Sequence, residues 1–91
     1  MMEKAPAQQS AAFSVLLFSV LREKIGRSSV SVTLERPFTG AGLLDALAVS
    51  FPAVADYRPI IRLAVNQEYV SESVVLQEED EIALITPVSG G

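Results

Sequence analysis

The order of its hydrophobic periods constrains this chain most: one helix-period segment lies between short stretches of strand character, and nothing repeats. Leu43, Leu44, Leu47 and Phe51 recur at the spacing of a single helix face, and Ala46 and Ala48 favour the same conformation. Thr39 is a candidate N-cap, Gly40 and Gly42 weaken the first turn, and Pro52 ends the helix after Phe51. Upstream, residues 13–18 (FSVLLF) are dense in β-formers and too apolar for an edge, which predicts a central strand. Ser19 is placed to cap a short helix with Leu21 and Ile25 on one face, and Gly26 supplies its stop. Val30, Val32 and Leu34 alternate with Ser31 and Thr33, the pattern of a half-buried antiparallel strand, which Arg36-Pro37 ends.

Beyond the main helix, residues 53–60 read as a connector with room for one helical turn. Leu63 and Val65 mark a short strand, Asn66-Gln67 a turn, and Tyr69-Val70 the start of the return strand. Leu76 reads as a buried anchor before an acidic turn at residues 78–81, and residues 82–85 (IALI) form the last strand. One main helix and about five strands leave no room for repeated βαβ units. The expected fold is therefore α+β, a mixed, antiparallel-rich sheet wrapped on that helix. At 91 residues the chain is one domain. We expect a frayed leader over residues 1–12, the domain over 13–86, and an extended tail over 87–91.

Composition narrows function mainly by exclusion. Cys and His are both absent, so the chain lacks thiolate or imidazole metal ligands, a thiol nucleophile and a Ser-His-Asp triad. No metal site is expected. The net charge is −4, and the seven basic residues are scattered, which argues against nucleic acid and favours a partner with a basic surface. No apolar run approaches membrane-spanning length, and residues 1–12 lack the apolar core of a signal peptide, so the cytoplasm is the default location. The adjacent acids 78–81 cannot converge on one ion and read as a solvated turn. Arg22 and Glu23 read equally well as partner contacts or as a surface helix pair.

Three segments carry a family resemblance. Residues 18–26 (FSVLREKIG), 63–70 (LAVNQEYV) and 76–91 (LQEEDEIALITPVSGG) resemble the strand-to-helix step, the hairpin and the ending of molybdopterin synthase small subunits, which are ubiquitin-like sulfur carriers. The likeness covers nearly everything from Phe13 onward. Two positions depart from it. Glu79 stands where the family usually has Gly, which would cost roughly 1 kcal/mol if that residue took a positive φ. Thr86 stands where the family often has the first Pro of a pair.

The resemblance implies the β-grasp fold of ubiquitin and a protein that is non-catalytic alone. It makes the carboxylate of Gly91 the working site. An adenylating enzyme similar to ubiquitin-activating enzymes would activate it with ATP. A sulfur donor would convert it to a thiocarboxylate, and the large synthase subunit would pass that sulfur to a cyclic pterin precursor to form a dithiolene. No cofactor is expected on this chain itself. An assembly of two small and two large subunits is implied.

Physical logic supports such a tail independently. Five residues, Pro87, Val88, Ser89, Gly90 and Gly91, extend up to about 17 Å, enough to thread a chain end into a pocket. Pro87 stiffens the exit, and the two glycines offer no side chain to clash in a narrow channel.

By alternation, Phe13, Val15 and Leu17 point inward from the first strand, and Ile82 and Leu84 from the last. Phe18 and Ile85 are left outward at the base of the tail, with Tyr69 near them, as a candidate partner interface. Phe18 and Ile85 as ordinary core residues under a loop is the competing reading. A carrier for thiamine or tRNA thiolation, and a β-grasp binding module that never uses its terminus, remain the functional alternatives.

Overall fold

The computed structural model describes residues 9–87. The chain runs β1 (Ser10–Leu17), α1 (Ser19–Ile25), β2 (Ser29–Glu35), α2 (Gly40–Ser50), α3 (Pro52–Tyr57), a 3-10 turn (Arg58–Ile60), β3 (Arg62–Val65), β4 (Glu68–Val70) and β5 (Ile82–Ile85). The five strands form one mixed sheet in the order β2-β1-β5-β3-β4. β1 and β5 are parallel, while the β1–β2, β3–β5 and β3–β4 pairs are antiparallel. The expected α+β architecture is present, with the apolar β1 inside the sheet.

Alternation decides which face is buried. Phe13, Val15 and Leu17 of β1 turn to the core side together with Ile82 and Leu84 of β5 and Leu63 and Val65 of β3. Against them α2 lays Leu43, Leu44 and Leu47, all essentially inaccessible, and Leu76 closes the core as the expected anchor. Each fully buried leucine contributes on the order of 1.5–3 kcal/mol. Phe13 and Phe38 meet edge to face, with ring centroids 5.2 Å apart.

The start of α2 is built from the loop that follows β4. Thr39 is the N-cap, its Oγ1 accepting from the Gly42 amide at 3.1 Å. The amides of Gly40 and Ala41, which have no partner within the helix, donate to the carbonyls of Val74 at 3.0 Å and Glu72 at 2.8 Å. This close crossing explains Gly40. A Cβ there would sit 2.5 Å from Leu63 Cδ2 and 3.0 Å from the Glu72 carbonyl oxygen. Gly40→Ala is therefore expected to destabilise the fold by about 1–3 kcal/mol through overpacking. That outweighs the helix propensity of alanine, worth about 1 kcal/mol. Urea denaturation will measure the difference. Arg58 adds a surface tie, donating to Asp45 at 2.6 Å and Glu72 at 3.2 Å. The Asp45 hydrogen bond is the main reason its guanidinium pKa is raised. Pairs this exposed are worth up to about 1 kcal/mol.

The structure corrects three readings and shows that one conditional cost does not arise. β1 begins at Ser10 rather than Phe13, which shortens the leader expected over residues 1–12. Ser10, Ala11 and Ala12 pair with Glu35, Leu34 and Thr33, so the long β2 carries the ladder past the end of the apolar run. Residues 1–8 lie outside the described residues. Ser19 does not cap α1: Phe18 occupies the cap position without a side-chain bond, and Ser19 itself has a φ of 54°. The connector at 53–60 is more helical than one turn, because Pro52, at the first helical position, starts α3 as well as ending α2. Glu79 is not among the described non-glycine residues with positive φ, so the strain anticipated there is absent.

Positive φ falls instead on Asn66 and Gln67, at 53° and 71°, which is the two-residue hairpin turn between β3 and β4. Asn tolerates that region and Gln does not. Gln67→Gly is expected to raise stability by about 0.5–1 kcal/mol after the entropy cost of glycine is subtracted. A modest rise in thermal midpoint will check it.

Candidate functional site: an apolar depression at the root of the tail

Residues paired across neighbouring strands project to the same face, so the register builds the outer surface row by row. Leu16 pairs with Ala83, Ala83 with Ala64, and Ala64 with Tyr69. These four form one outward row. Its two central members are alanines, which leave the middle of the row low between a leucine and a tyrosine. Further along the sheet, Ile85 pairs with Arg62, and Phe18 follows directly on β1. The result is a cavity of about 360 Å³ floored by Ala64 and Ala83 and walled by Leu16, Phe18, Tyr69 and Ile85. Phe18 and Tyr69 are 40% and 62% exposed, well beyond what a core aromatic would show.

The structure thus brings together the three side chains singled out from the sequence, Phe18, Tyr69 and Ile85. It excludes the reading of Phe18 as a covered core residue. Sequence reasoning missed Ala64, whose position between inward Leu63 and Val65 carried the signal. It also missed Gln67 and Glu81, which form the polar rim. The Arg62 guanidinium carbon lies 5.1 Å from the centre of the Tyr69 ring, a cation–π contact that steadies an otherwise exposed aromatic.

The acidic turn bordering this rim is held by hydrogen bonds. Asp80 accepts from the Gln77 amide at 2.8 Å and from Asn66 Nδ2 at 3.0 Å, and Asn66 Oδ1 accepts from the Glu81 amide at 2.9 Å. Asn66 therefore serves both the hairpin and the turn that delivers β5. Among the described residues, no three acidic groups gather as a metal site would require, and no helix is long and apolar enough to cross a membrane.

β5 passes directly into Thr86 and Pro87. Thr86 is buried, 2% exposed, while Pro87 is exposed at the surface. The remaining tail residues named from the sequence, Val88, Ser89, Gly90 and Gly91, lie outside the described residues. Pro87, the last described residue, thus follows closely on an interior strand, and Ile85 of that strand lines an apolar depression with a polar rim. Among the described residues the floor and walls of the depression are apolar, with Gln67 and Glu81 at the rim.

Comparison with known proteins fits this geometry. The molybdopterin synthase sulfur carrier subunit of Arabidopsis thaliana is 37% identical over 82 residues, covering 90% of this chain and 85% of that protein. The crystal structure of SAMP1 from Haloferax volcanii superposes with a TM-score of 0.76 at 29% identity, covering 89% of this chain and all of that one. A chain from the complex of subunits 1 and 2 of the Helicobacter pylori molybdopterin-converting factor shares the fold, with a TM-score of 0.62 at 18% identity over 89% of this chain and all of that one. The model of the ThiS family matches residues 15–91, nearly the whole length, and on this match the chain belongs to the ThiS family.

Proposed function

We propose that this protein is the sulfur-carrier subunit of a molybdopterin synthase. The observation that carries the reading is the 37% identity to a molybdopterin synthase sulfur carrier subunit along nine-tenths of the chain. Two features support it: the family match runs through Gly91, and an apolar face lies at the root of the tail.

In this reading the Gly91 carboxylate attacks the α-phosphorus of ATP on an adenylating partner, releasing pyrophosphate. A sulfur nucleophile then displaces AMP and leaves a terminal thiocarboxylate. The tail enters the large synthase subunit, and the thiocarboxylate sulfur is transferred to a cyclic pterin precursor, regenerating an oxygen carboxylate after hydrolysis. The carrier contributes reach, a compact terminus and a docking face. In this reading the groups that move protons in the transfer belong to its partners. The sheet depression around Phe18, Tyr69 and Ile85 is the docking face for the large subunit, and the working assembly contains two copies of each subunit in the cytoplasm.

The test is intact-mass spectrometry after incubation with the adenylating partner, ATP and a sulfur donor. The expected result is a gain equal to the mass difference between sulfur and oxygen, mapped to Gly91. An unchanged mass, with the partner shown to be active on another carrier, overturns the proposal.

A further inference from the structure

The sheet has two edges, and they are unequal. β4 closes one with three residues, while β2 closes the other with seven. Hydrogen bonds at the two ends of the β1–β2 ladder fix its parity. The Leu17 amide donates to the Ser28 carbonyl at 2.9 Å, and the Arg36 amide to the Gln9 carbonyl at 2.8 Å. Both belong to the register that matches Val15 with Val30 and Phe13 with Val32. In an antiparallel ladder, hydrogen-bonded residues alternate with residues whose backbone groups point away. Val30, Val32 and Leu34 therefore direct theirs to β1. Ser29, Ser31, Thr33 and Glu35 turn theirs to the open edge.

Long open edges are normally guarded by lysine, proline, a bulge or an inward-pointing charge. β2 has none of these. It contains no Lys, Pro or Gly, its register with β1 runs without a break, and its one charge, Glu35, is its last residue. Ser29, Ser31, Thr33 and Glu35 are all exposed. Val32, at the middle of the strand, faces the core but is only half-buried.

An edge of this kind accepts another strand, and the sequence of β2 is complementary to itself. About a twofold axis through Val32, Ser29 pairs with Glu35 of a second copy and Ser31 with Thr33, and each such pair exchanges two hydrogen bonds. Every backbone group that faces the edge is then met. Each carboxylate falls opposite a serine, so no like charges oppose. Val32 falls opposite Val32 of the copy in a non-hydrogen-bonded pair, where side chains come closest, and this closes the half-open centre of the edge. Ser31 and Thr33 bring their hydroxyls together on the outer face, a favourable cross-strand pair.

We propose that this edge joins two copies of the chain, β2 antiparallel to β2, into one continuous sheet. The axis stands perpendicular to the sheet, so both apolar depressions face the same way. Phe18, Tyr69, Ile85 and Pro87 lie off β2 and stay open. The inference is independent of the proposed function. A single strand pair buries less than the roughly 1,000 Å² of a stable interface, so the dimer is transient, with a Kd on the order of 100 μM.

Sedimentation velocity of the chain alone, from about 10 μM to about 1 mM, tests it together with hydrogen exchange of the β2 amides. The expected result is a dimer that grows by mass action. The amides of Ser29, Ser31, Thr33 and Glu35 become protected as concentration rises, while those of Val30, Val32 and Leu34 are slow throughout. Ser31→Lys with Thr33→Lys sets lysine opposite lysine and is expected to weaken association at least about tenfold. Ser31→Lys with Thr33→Glu sets opposite charges across the same axis and is expected to restore association to wild-type strength or better. A folding defect caused by the lysine at position 31 would not be rescued in this way. A wild-type chain that stays monomeric to about 1 mM overturns the proposal. A dimer that the two lysines leave intact, or one that protects no alternating set of amides, overturns it too. A chain that is monomeric alone, with its β2 amides protected only when the large subunit is added, gives the edge to that subunit and overturns the proposal likewise. The proposed function stands in each of these cases.

Discussion

Deleting Gly91, or appending one residue after it, is expected to reduce sulfur transfer by three orders of magnitude or more while leaving the domain's thermal midpoint unchanged. The effect is geometric. Each residue advances an extended chain by about 3.3–3.6 Å, so either change moves the reacting atom by more than a bond length inside a pocket of fixed depth. Misplacement of about 1 Å already costs a transfer reaction on the order of 100-fold. The fold is spared because the described core draws its last members from β5, Ile82 and Leu84. Single-turnover transfer from pre-loaded carrier to the pterin precursor is the measurement, alongside thermal melts of each variant. Normal turnover by the extended variant would show that Gly91 is not the working position.

Ile85→Lys carries the second largest effect, a loss of affinity for the large subunit on the order of 100-fold or more. Ile85 is half-buried in the free chain, so a lysine there can keep its stem on the sheet and its ammonium in water. Folding is accordingly expected to survive. Docking of the large subunit on this face, as proposed, would remove that water. An unpaired charge trapped in a desolvated patch costs about 3–5 kcal/mol, against about 1.4 kcal/mol per tenfold change in Kd. Isothermal calorimetry will read the dissociation constant. A value within about twofold of wild type would remove the sheet depression from the interface. The companion change Ala83→Ser, on the cavity floor, is expected to have a much smaller effect, because it alters neither the depth of the row nor its charge.

What could be read ahead of the structure followed from strong periods. Phe13, Val15 and Leu17 against Ser14 and Leu16, and Ile82 and Leu84 against Ala83 and Ile85, fixed the inward faces of the two strands that flank the tail. Together with the β-grasp fold that the family resemblance implied, which sets those two strands side by side, this placed Phe18 and Ile85 on one patch. Thr39 and Pro52 marked both ends of α2 because each acts locally, Thr39 through its side-chain oxygen and Pro52 through its ring. The misses have a common cause, which is that long-range partners overrode local character. Ser10–Ala12 are weak β-formers drawn into β1 by the length of β2. Gly40 looked like a defect in a helix and is the clearance that a crossing loop requires. Gly91 was legible only through its motif, because a carboxylate terminus has no side chain to read.

The pairing of β5 on both sides has a mechanical consequence. A partner that draws the terminus into its pocket, and later releases it, pulls along the axis of a strand tied to β1 on one flank and β3 on the other. Tension then loads two ladders in shear at once, rather than peeling a single edge bond by bond. The domain can therefore act as a rigid handle while its terminus is tugged.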